Sequence, residues 1–566
     1  MTSHPTARPN SPVLPWLLRQ VTLSIASLSW LATNAALAAP PSWTQSLPTG
    51  VQQGQETKLT LLGSFSHWPP QVHVDEAGLT VTPGDKSTLI VKAAADARLG
   101  VHWVRLFDEE GATALRPIIV GAVAEQQEQE PNDDVADTKL LELPRAISGK
   151  LEKSGDVDGF RVAVKSGQQL VAAALGNRWL DSPMDAVLQV CDTNGFVLAQ
   201  NDDQRGIDPL VTWRADADRE VIVRLFAFPS QPNSTIRYAG GGNYIYRLEL
   251  TTGPFVDASL PLSLPAEGSA ELSLIGWNLP ETAAVAAGDD RHFHVTAAVA
   301  GAAGFAIADR LGPPAVVCRS SEPLEISAPC VVSGHLAAVG ERHTLKFKAE
   351  AKQRFRILVD AVALGFPLDP AIAIVDGTGK VVAETDDISR NNQDAALDFA
   401  APAAGDYELR VWDTHGRGGD RMLYRLTITE PLFQLTAPAD QYVIEPGKPL
   451  ELKVTVARDR GFDMPIQVEA TGLPEGVAAE AVTSETKGDS AKAVTLKLVS
   501  TTTTVIQAPF QIVGVAGEAR MPALFAVANS PQRIRQFWLT AKANKPAEPA
   551  DKDAKAEGKS DDAKDK

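Results

Sequence analysis

The stretch Met184-Asp185-Ala186-Val187-Leu188-Gln189-Val190-Cys191-Asp192-Thr193-Asn194-Gly195 returns later in the chain as Leu368-Asp369-Pro370-Ala371-Ile372-Ala373-Ile374-Val375-Asp376-Gly377-Thr378-Gly379. Asp185 and Asp369, Asp192 and Asp376, and Asp202 and Asp386 share one offset, 369 − 185 = 184. Ser148-Gly149 and Ser333-Gly334 precede these landmarks, and Tyr246-Arg247-Leu248 and Tyr424-Arg425-Leu426 close them, in the same order. An ordered set of this kind marks a duplicated domain. Within each copy, residues 188–191 and 372–375 are short β-prone runs ending in an Asp/Gly turn. Val197-Leu198-Ala199 and Val381-Val382-Ala383 then return as the second arm of a hairpin. Tyr407-Glu408-Leu409-Arg410-Val411-Trp412 alternates apolar and polar, as a half-buried strand does. No stretch sustains a long helical period, so each copy is expected to be a β-sandwich of jelly-roll type.

The chain around the copies reads the same way. Lys58-Leu59-Thr60-Leu61-Leu62-Gly63 resembles Glu271-Leu272-Ser273-Leu274-Ile275-Gly276, each shortly after a Gly-containing turn. His102-Trp103-Val104-Arg105-Leu106-Phe107 and Leu450-Glu451-Leu452-Lys453-Val454-Thr455-Val456 alternate as strands. Gly472-Leu473-Pro474-Glu475-Gly476-Val477 reads as a turn entering a strand of an immunoglobulin-like sandwich. At 566 residues the chain exceeds a single core. The expected fold is all-β: a string of sandwiches in which two jelly-roll-like modules alternate with immunoglobulin-like ones. The expected order is a leader at 1–38, an immunoglobulin-like sandwich at 44–122 and the first module at 125–253. A sandwich-like linker domain at 255–328, the second module at 330–431, an immunoglobulin-like sandwich at 432–540 and a charged tail at 541–566 follow.

Bulk properties narrow the classes of function. The net charge of −17 argues against a nucleic-acid partner, which needs a basic face, and is compatible with cations. Arg8 and Arg19 precede an apolar stretch at 21–32, and Ala36-Leu37-Ala38 supplies the small-x-small pattern of a cleaved export signal. The stretch falls short of the ~20 apolar residues of a membrane span, and no later segment reaches that length. The mature chain is therefore expected to be secreted, periplasmic or at the cell surface without a transmembrane segment; an uncleaved anchor is the alternative. The tail carries seven Lys against seven acids and no apolar side chain larger than Ala or Pro, a composition that buries no core. Of the three cysteines, Cys318 and Cys330 are near enough in sequence to close one bridge in an oxidising compartment, while Cys191 sits in an apolar run.

Catalytic signatures are absent from the sequence: it contains neither His-Glu-x-x-His, nor Gly-x-Ser-x-Gly, nor a phosphate-binding glycine loop. Asp413-Thr414-His415-Gly416 has the look of a serine-protease histidine motif, but no matching serine motif accompanies it. A non-catalytic protein is expected.

Glu128-Gln129-Glu130-Pro131-Asn132-Asp133-Asp134, followed by Gly155-Asp156-Val157-Asp158-Gly159-Phe160, resembles the start of the bacterial pre-peptidase C-terminal domain. Met184-Asp185, Asp192 to Gly195, Asn201-Asp202-Asp203 and Tyr246-Arg247-Leu248 continue the likeness, which covers 125–253 well and 330–431 less well. The whole arrangement also resembles large exported proteins of planctomycete-like bacteria. Related modules of secreted collagenases bind calcium, and the resemblance implies Glu128, Glu130, Asn132, Asp133, Asp156 and Asp158 as its ligands here. Calcium takes six to eight oxygen donors of this type. The alternative is a solvated acidic linker beside an ordinary turn. In the second copy Gly340-Glu341-Arg342-His343 replaces the Asp pair, and Arg342 would repel a dication, so no ion is expected there. The implied function is an exported binding or scaffold protein. Its partners would be envelope or extracellular proteins or polysaccharides. An accessory subunit of a secreted peptidase or other hydrolase is the alternative.

Overall fold

In the computed structural model residues 39–544 are described, apart from 75–76, 232–233, 235–236, 266–269, 281–283, 288–293, 298–300, 528–529 and 531–532. The expected leader and all but the first four residues of the expected tail lie outside the described residues. The described chain is almost entirely β. Among the described residues no helix is long and apolar enough to cross a membrane.

The two modules have one topology. In the first, the sheets run Glu125–Gln127, Arg145–Lys150, Ile245–Thr251, Gln169–Leu175, Leu210–Arg214, and Leu140–Leu141, Asp158–Val164, Arg219–Pro229, Met184–Cys191, Val197–Asn201. In the second, the equivalent orders are Ala315–Cys318, Cys330–His335, Leu423–Thr429, Arg354–Asp360, Ala395–Ala400, and Leu324–Glu325, Arg342–Ala349, Gly405–Asp413, Pro370–Asp376, Val381–Thr385. In each copy both sheets begin with a short edge strand paired in parallel. The predicted hairpins are present, and their turns are alike. Asp192 Oδ1 accepts from the amides of Asn194 and Phe196, and Asp376 Oδ1 from those of Thr378 and Lys380. Because Ala315–Cys318 and Leu324–Glu325 belong to the second module, that module begins near 315 and not at 330. The repeat was hidden there because the acidic motif is missing and the offset lengthens from 185 at Ser148/Ser333 to 190 at Glu128/Cys318, positions aligned by strand register.

The duplication reaches further back. Ser42–Leu47 pairs with Glu56–Ser64, with a bulge after Trp43; Phe255–Leu260 pairs with Ala270–Trp277, with a bulge after Val256. The partners Ser42/Ser64 and Phe255/Trp277 share the offset 255 − 42 = 277 − 64 = 213. In both domains the next short strand pairs in parallel with a later one, Gly50–Gln52 with Arg116–Gly121 and Ser263–Pro265 with Ala306–Gly312. Gly63 and Gly276 end the two stretches whose likeness the sequence showed. A Cβ at either would lie 1.9 Å from a carbonyl of the partner strand, so only glycine fits. The unit of duplication is thus a sandwich plus the module that follows it, and a single sandwich from 433 to 541 ends the set.

The same motifs join the members of each unit. Side chains of a strand alternate between faces, so Tyr246 and Leu248 enter the first module's core while Arg247 points the other way. There Arg247, fully buried, meets Glu125 at 2.7 Å and Glu249 at 3.0 Å and lies against Gly50 and Gly121 of the preceding sandwich. Ser148 takes Thr49 of that sandwich through its backbone N–H and hydroxyl. In the second unit Arg425 meets Asp360 at 2.8 Å and Asp309 of the preceding sandwich, and Ser333 Oγ accepts from Leu262 N at 2.8 Å. Between the units Asp257 is fully buried and is held by Arg205 (2.7 Å) from the first module and Arg421 (2.6 Å) from the second. The two guanidiniums hold its carboxyl below the usual carboxylate range against the opposing effect of burial.

The sandwiches do not form an open string. The alternating stretch at 102–107 lies within Gly100–Asp108, which is buried on both faces up to Phe107. Leu106 and Val104 fill the sandwich core, while Trp103 packs with Trp179 of the first module. Arg105 pairs with Asp440 of the last sandwich at 2.8 Å, and Phe107 packs on Trp538 with ring centroids 4.9 Å apart. The first and last sandwiches therefore touch, and both faces of this alternating strand are buried.

The expected bridge between Cys318 and Cys330 is absent; both thiols are free and buried. Cys318 sits opposite Gly334 in the parallel ladder, four residues along the strand from Cys330. At ~3.3 Å per residue that separation is ~13 Å, well beyond the ~7 Å Cα spacing a disulfide spans. Unfolded under non-reducing conditions, the chain is expected to titrate three thiols with a thiol-specific reagent, not one. Breaking the Arg105–Asp440 pair takes a carboxylate from a buried guanidinium, at a cost of up to about 3–5 kcal/mol. Asp440→Ala is therefore expected to lower the first thermal transition and to admit limited proteolysis near 108–112, read by calorimetry and mass spectrometry.

Candidate metal centre

The acidic motif enters the first module through the edge strand Glu125–Gln127, which pairs with Arg145–Lys150, and then passes over the start of Asp158–Val164. The Asn132 carbonyl accepts from Gly159 N at 3.1 Å, which pins the loop to that strand. Gly159 leaves no room for a side chain there: a Cβ would stand 2.9 Å from the same carbonyl. This register sets residues 130–133 against residues 156–158.

Four of the six expected ligands come together. One carboxylate oxygen each from Glu130, Asp133, Asp156 and Asp158 lie within 4.8 Å of one another. Glu130 and Asp133 face solvent, while Asp156 and Asp158 are buried. Asn132 is 4% exposed, and neither its Oδ1 nor its Nδ2 has a hydrogen-bond partner; Asp158 Oδ1 is also buried and unpartnered. A buried polar atom without a partner carries a desolvation cost of about 1–3 kcal/mol. Burial pushes Glu130 and Asp156 upward, and crowding by neighbouring carboxylates adds to it. The donor set is all oxygen, clustered, and left with acceptor atoms unused: the residues fit a hard dication such as calcium.

Glu128 stands outside this cluster. Its Oε1 accepts from Lys150 N at 2.6 Å, and its Oε2 from the Tyr246 hydroxyl at 2.6 Å. The same hydroxyl lies 2.5 Å from Asp158 Oδ2. One phenolic proton cannot serve two carboxylates. Burial and then the Glu128 charge push Asp158 upward, and burial pushes Glu128 upward too. Tyr246, singled out in sequence only as a repeat landmark, is thus the group that positions Asp158 from behind. Gly149 makes room for it: a Cβ there would sit 2.2 Å from the Tyr246 hydroxyl.

The second module rebuilds this place without carboxylates facing one another. Strand register sets Cys318 opposite Gly334 where Glu128 stands beside Gly149. His343, fully buried, takes the position of Asp158, with Nδ1 2.8 Å from the Tyr424 hydroxyl and Nε2 3.3 Å from Glu341, the counterpart of Asp156. Burial lowers the basicity of His343. Arg342 does not act here as expected. It alternates to the outer face and lies over the Trp412 ring at 4.8 Å, so the change of chemistry rests on Cys318 and His343. The histidine of the Asp413-Thr414-His415 stretch is exposed and pairs with Asp369 at 3.3 Å, while Asp413 is held by Arg417 at 2.8 Å.

No family model and no curated protein matches the chain. Among solved structures, the pre-peptidase C-terminal domain of a collagenase from Bacillus anthracis is similar at 17% identity, over 20% of this chain and 99% of that one, with a TM-score of 0.17. A Bacteroides ovatus protein of a mixed-linkage glucan utilization locus, solved with a mixed-linkage heptasaccharide, is similar at 11% identity over 69% of this chain and 77% of that one, with a TM-score of 0.15. Fibronectin(III)-like modules of Clostridium thermocellum CbhA are similar at 12% identity over 34% and 87%, with a TM-score of 0.12.

Tyr246→Phe removes the hydroxyl shared by buried Asp158 and half-buried Glu128 and is expected to destabilise the first module by about 1–3 kcal/mol. Tyr424→Phe loses one neutral hydrogen bond to His343 and is expected to cost about 1 kcal/mol. Chemical denaturation of the two variants side by side measures the difference.

Proposed function

We propose that this chain is an exported, non-catalytic binding and scaffold protein whose first module is stiffened by calcium. The observation that carries this reading is the convergence of Glu130, Asp133, Asp156 and Asp158 within 4.8 Å, beside the unpartnered amide of Asn132. These residues would hold the ion, and Glu128 would act through Tyr246 to set the direction of Asp158. The bound ion supplies charge neutralisation and a cross-link between the loop at 130–133 and the strand entered at 156–158. That loop follows the junction of the first sandwich with its module, so the cross-link fixes the angle at which one domain presents the next.

The partners fitting this reading are envelope or extracellular proteins or polysaccharides, met by a chain of net charge −17. An ion that binds the folded site and not the open chain stabilises it by about 2.7 kcal/mol at 100 times Kd.

Calcium titration of the chelator-stripped full chain by calorimetry, with thermal melting in parallel, tests the reading. One saturable site is expected in the first module, with a raised melting transition. Asp156→Asn or Glu130→Gln is expected to weaken binding at least tenfold, and Glu341→Gln in the second module to leave it unchanged. No heat and no shift at millimolar calcium would reduce the motif to a solvated acidic linker.

A further inference from the structure

Where the first module, the second sandwich and the second module meet, a cleft of about 100 Å³ opens between them. Three guanidiniums line it: Arg178 and Arg205 from the first module and Arg421 from the second. Asp257 serves two of them, bonding Arg205 at 2.7 Å and Arg421 at 2.6 Å. Glu249 and Asp309 also reach the wall, and each is held by an arginine outside it, Glu249 by Arg247 at 3.0 Å and Asp309 by Arg425. Arg178 is different. Among the described residues the acceptor for its guanidinium is the Leu364 carbonyl, and no carboxylate lies within ion-pair distance of it.

The chain makes a place for that side chain. Arg178 crosses from the first module to the second and lies flat over Gly365, where a Cβ would overlap the guanidinium. Burial, with Arg421 and Arg205 nearby, pushes Arg178 down to about 10, and burial and the Arg205 charge push Arg421 down as well. The charge of Asp208, whose carboxylate accepts from the amides of residues 176–178, offsets this in part. The rest of the wall is apolar and includes Leu175, Trp179, Phe305 and Ile307. The cleft thus pairs one guanidinium that has no carboxylate at ion-pair distance among the described residues with a hydrocarbon lining, the combination that recognises a small organic anion.

We propose that this cleft binds a short-chain monocarboxylate, its carboxylate on Arg178 and its alkyl end against Phe305 and Ile307. By comparison with a cavity of about 150 Å³ that takes benzene, the space suits ~four or five heavy atoms, the size of acetate or propionate. The site is built from two modules and the sandwich between them, so an occupant bridges the two duplicated units. It is separate from the calcium centre.

Calorimetry and thermal melting of the full chain with propionate test this, with propanol, propylammonium and chloride at matched ionic strength as controls. Saturable binding of propionate alone, with a raised transition, is expected. Arg178→Met is expected to weaken it at least tenfold. Ile307→Trp, which fills the cleft without touching a charge, is expected to abolish it while the melting transition of the unliganded chain stays in place. Equal effects of chloride and propionate, or undiminished binding in Ile307→Trp, would overturn the proposal.

Discussion

A guanidinium taken out of water is costly without a countercharge, and Arg105, Arg205, Arg247, Arg421 and Arg425 each meet a carboxylate at a joint between domains. Arg247 and Arg425 occupy the same place in the two units, yet their acids come from different strands: Glu125 and Glu249 in one, Asp360 and Asp309 in the other. What repeats is the cation and the serine beside it; the acids are supplied by whichever neighbour is at hand. A buried pair adds little net stability over a well-packed apolar contact, but breaking one is costly. Such joints therefore favour one relative placement of the domains over others, which is what a scaffold requires.

The two modules show alternative solutions to one packing problem. A tyrosine hydroxyl brought into the core by the closing strand needs a partner. In the first module that partner is a pair of carboxylates, which places excess negative charge beside an acidic loop and makes a cation welcome. In the second, a histidine with Glu341 behind it answers the tyrosine and a thiol replaces the further carboxylate, so the hydroxyl is not shared between two acids.

Much of this was legible beforehand because it rests on periodicity and local turns. The duplicated hairpin, its Asp/Gly turns and the alternating strands at 407–412 and 450–456 appear as read. Four of six expected ligands converge because they lie on two short segments that strand pairing sets side by side. The failures are all matters of long-range placement. Arg105 reads as the polar face of an ordinary strand; only a residue 335 positions away makes it interior. Cys318 and Cys330 are close in sequence but are held at opposite ends of a ladder. Glu128 belongs to the motif by type and spacing, yet the edge-strand pairing spends its oxygens on Lys150 and Tyr246. Arg342 falls one residue out of phase with the site it was expected to block.

The contact between the first and last sandwiches has a consequence for how the chain is made. Arg105 and Phe107 meet Asp440 and Trp538 of the last sandwich, and the ribosome delivers the first of these 335 residues after Arg105. At ~5–20 residues per second the delay is on the order of half a minute. Throughout that interval the first sandwich has a folded core and, on strand 100–108, a guanidinium without the Asp440 carboxylate and a phenyl ring without the Trp538 face. The newborn chain is therefore adhesive at one defined spot until its final domain arrives.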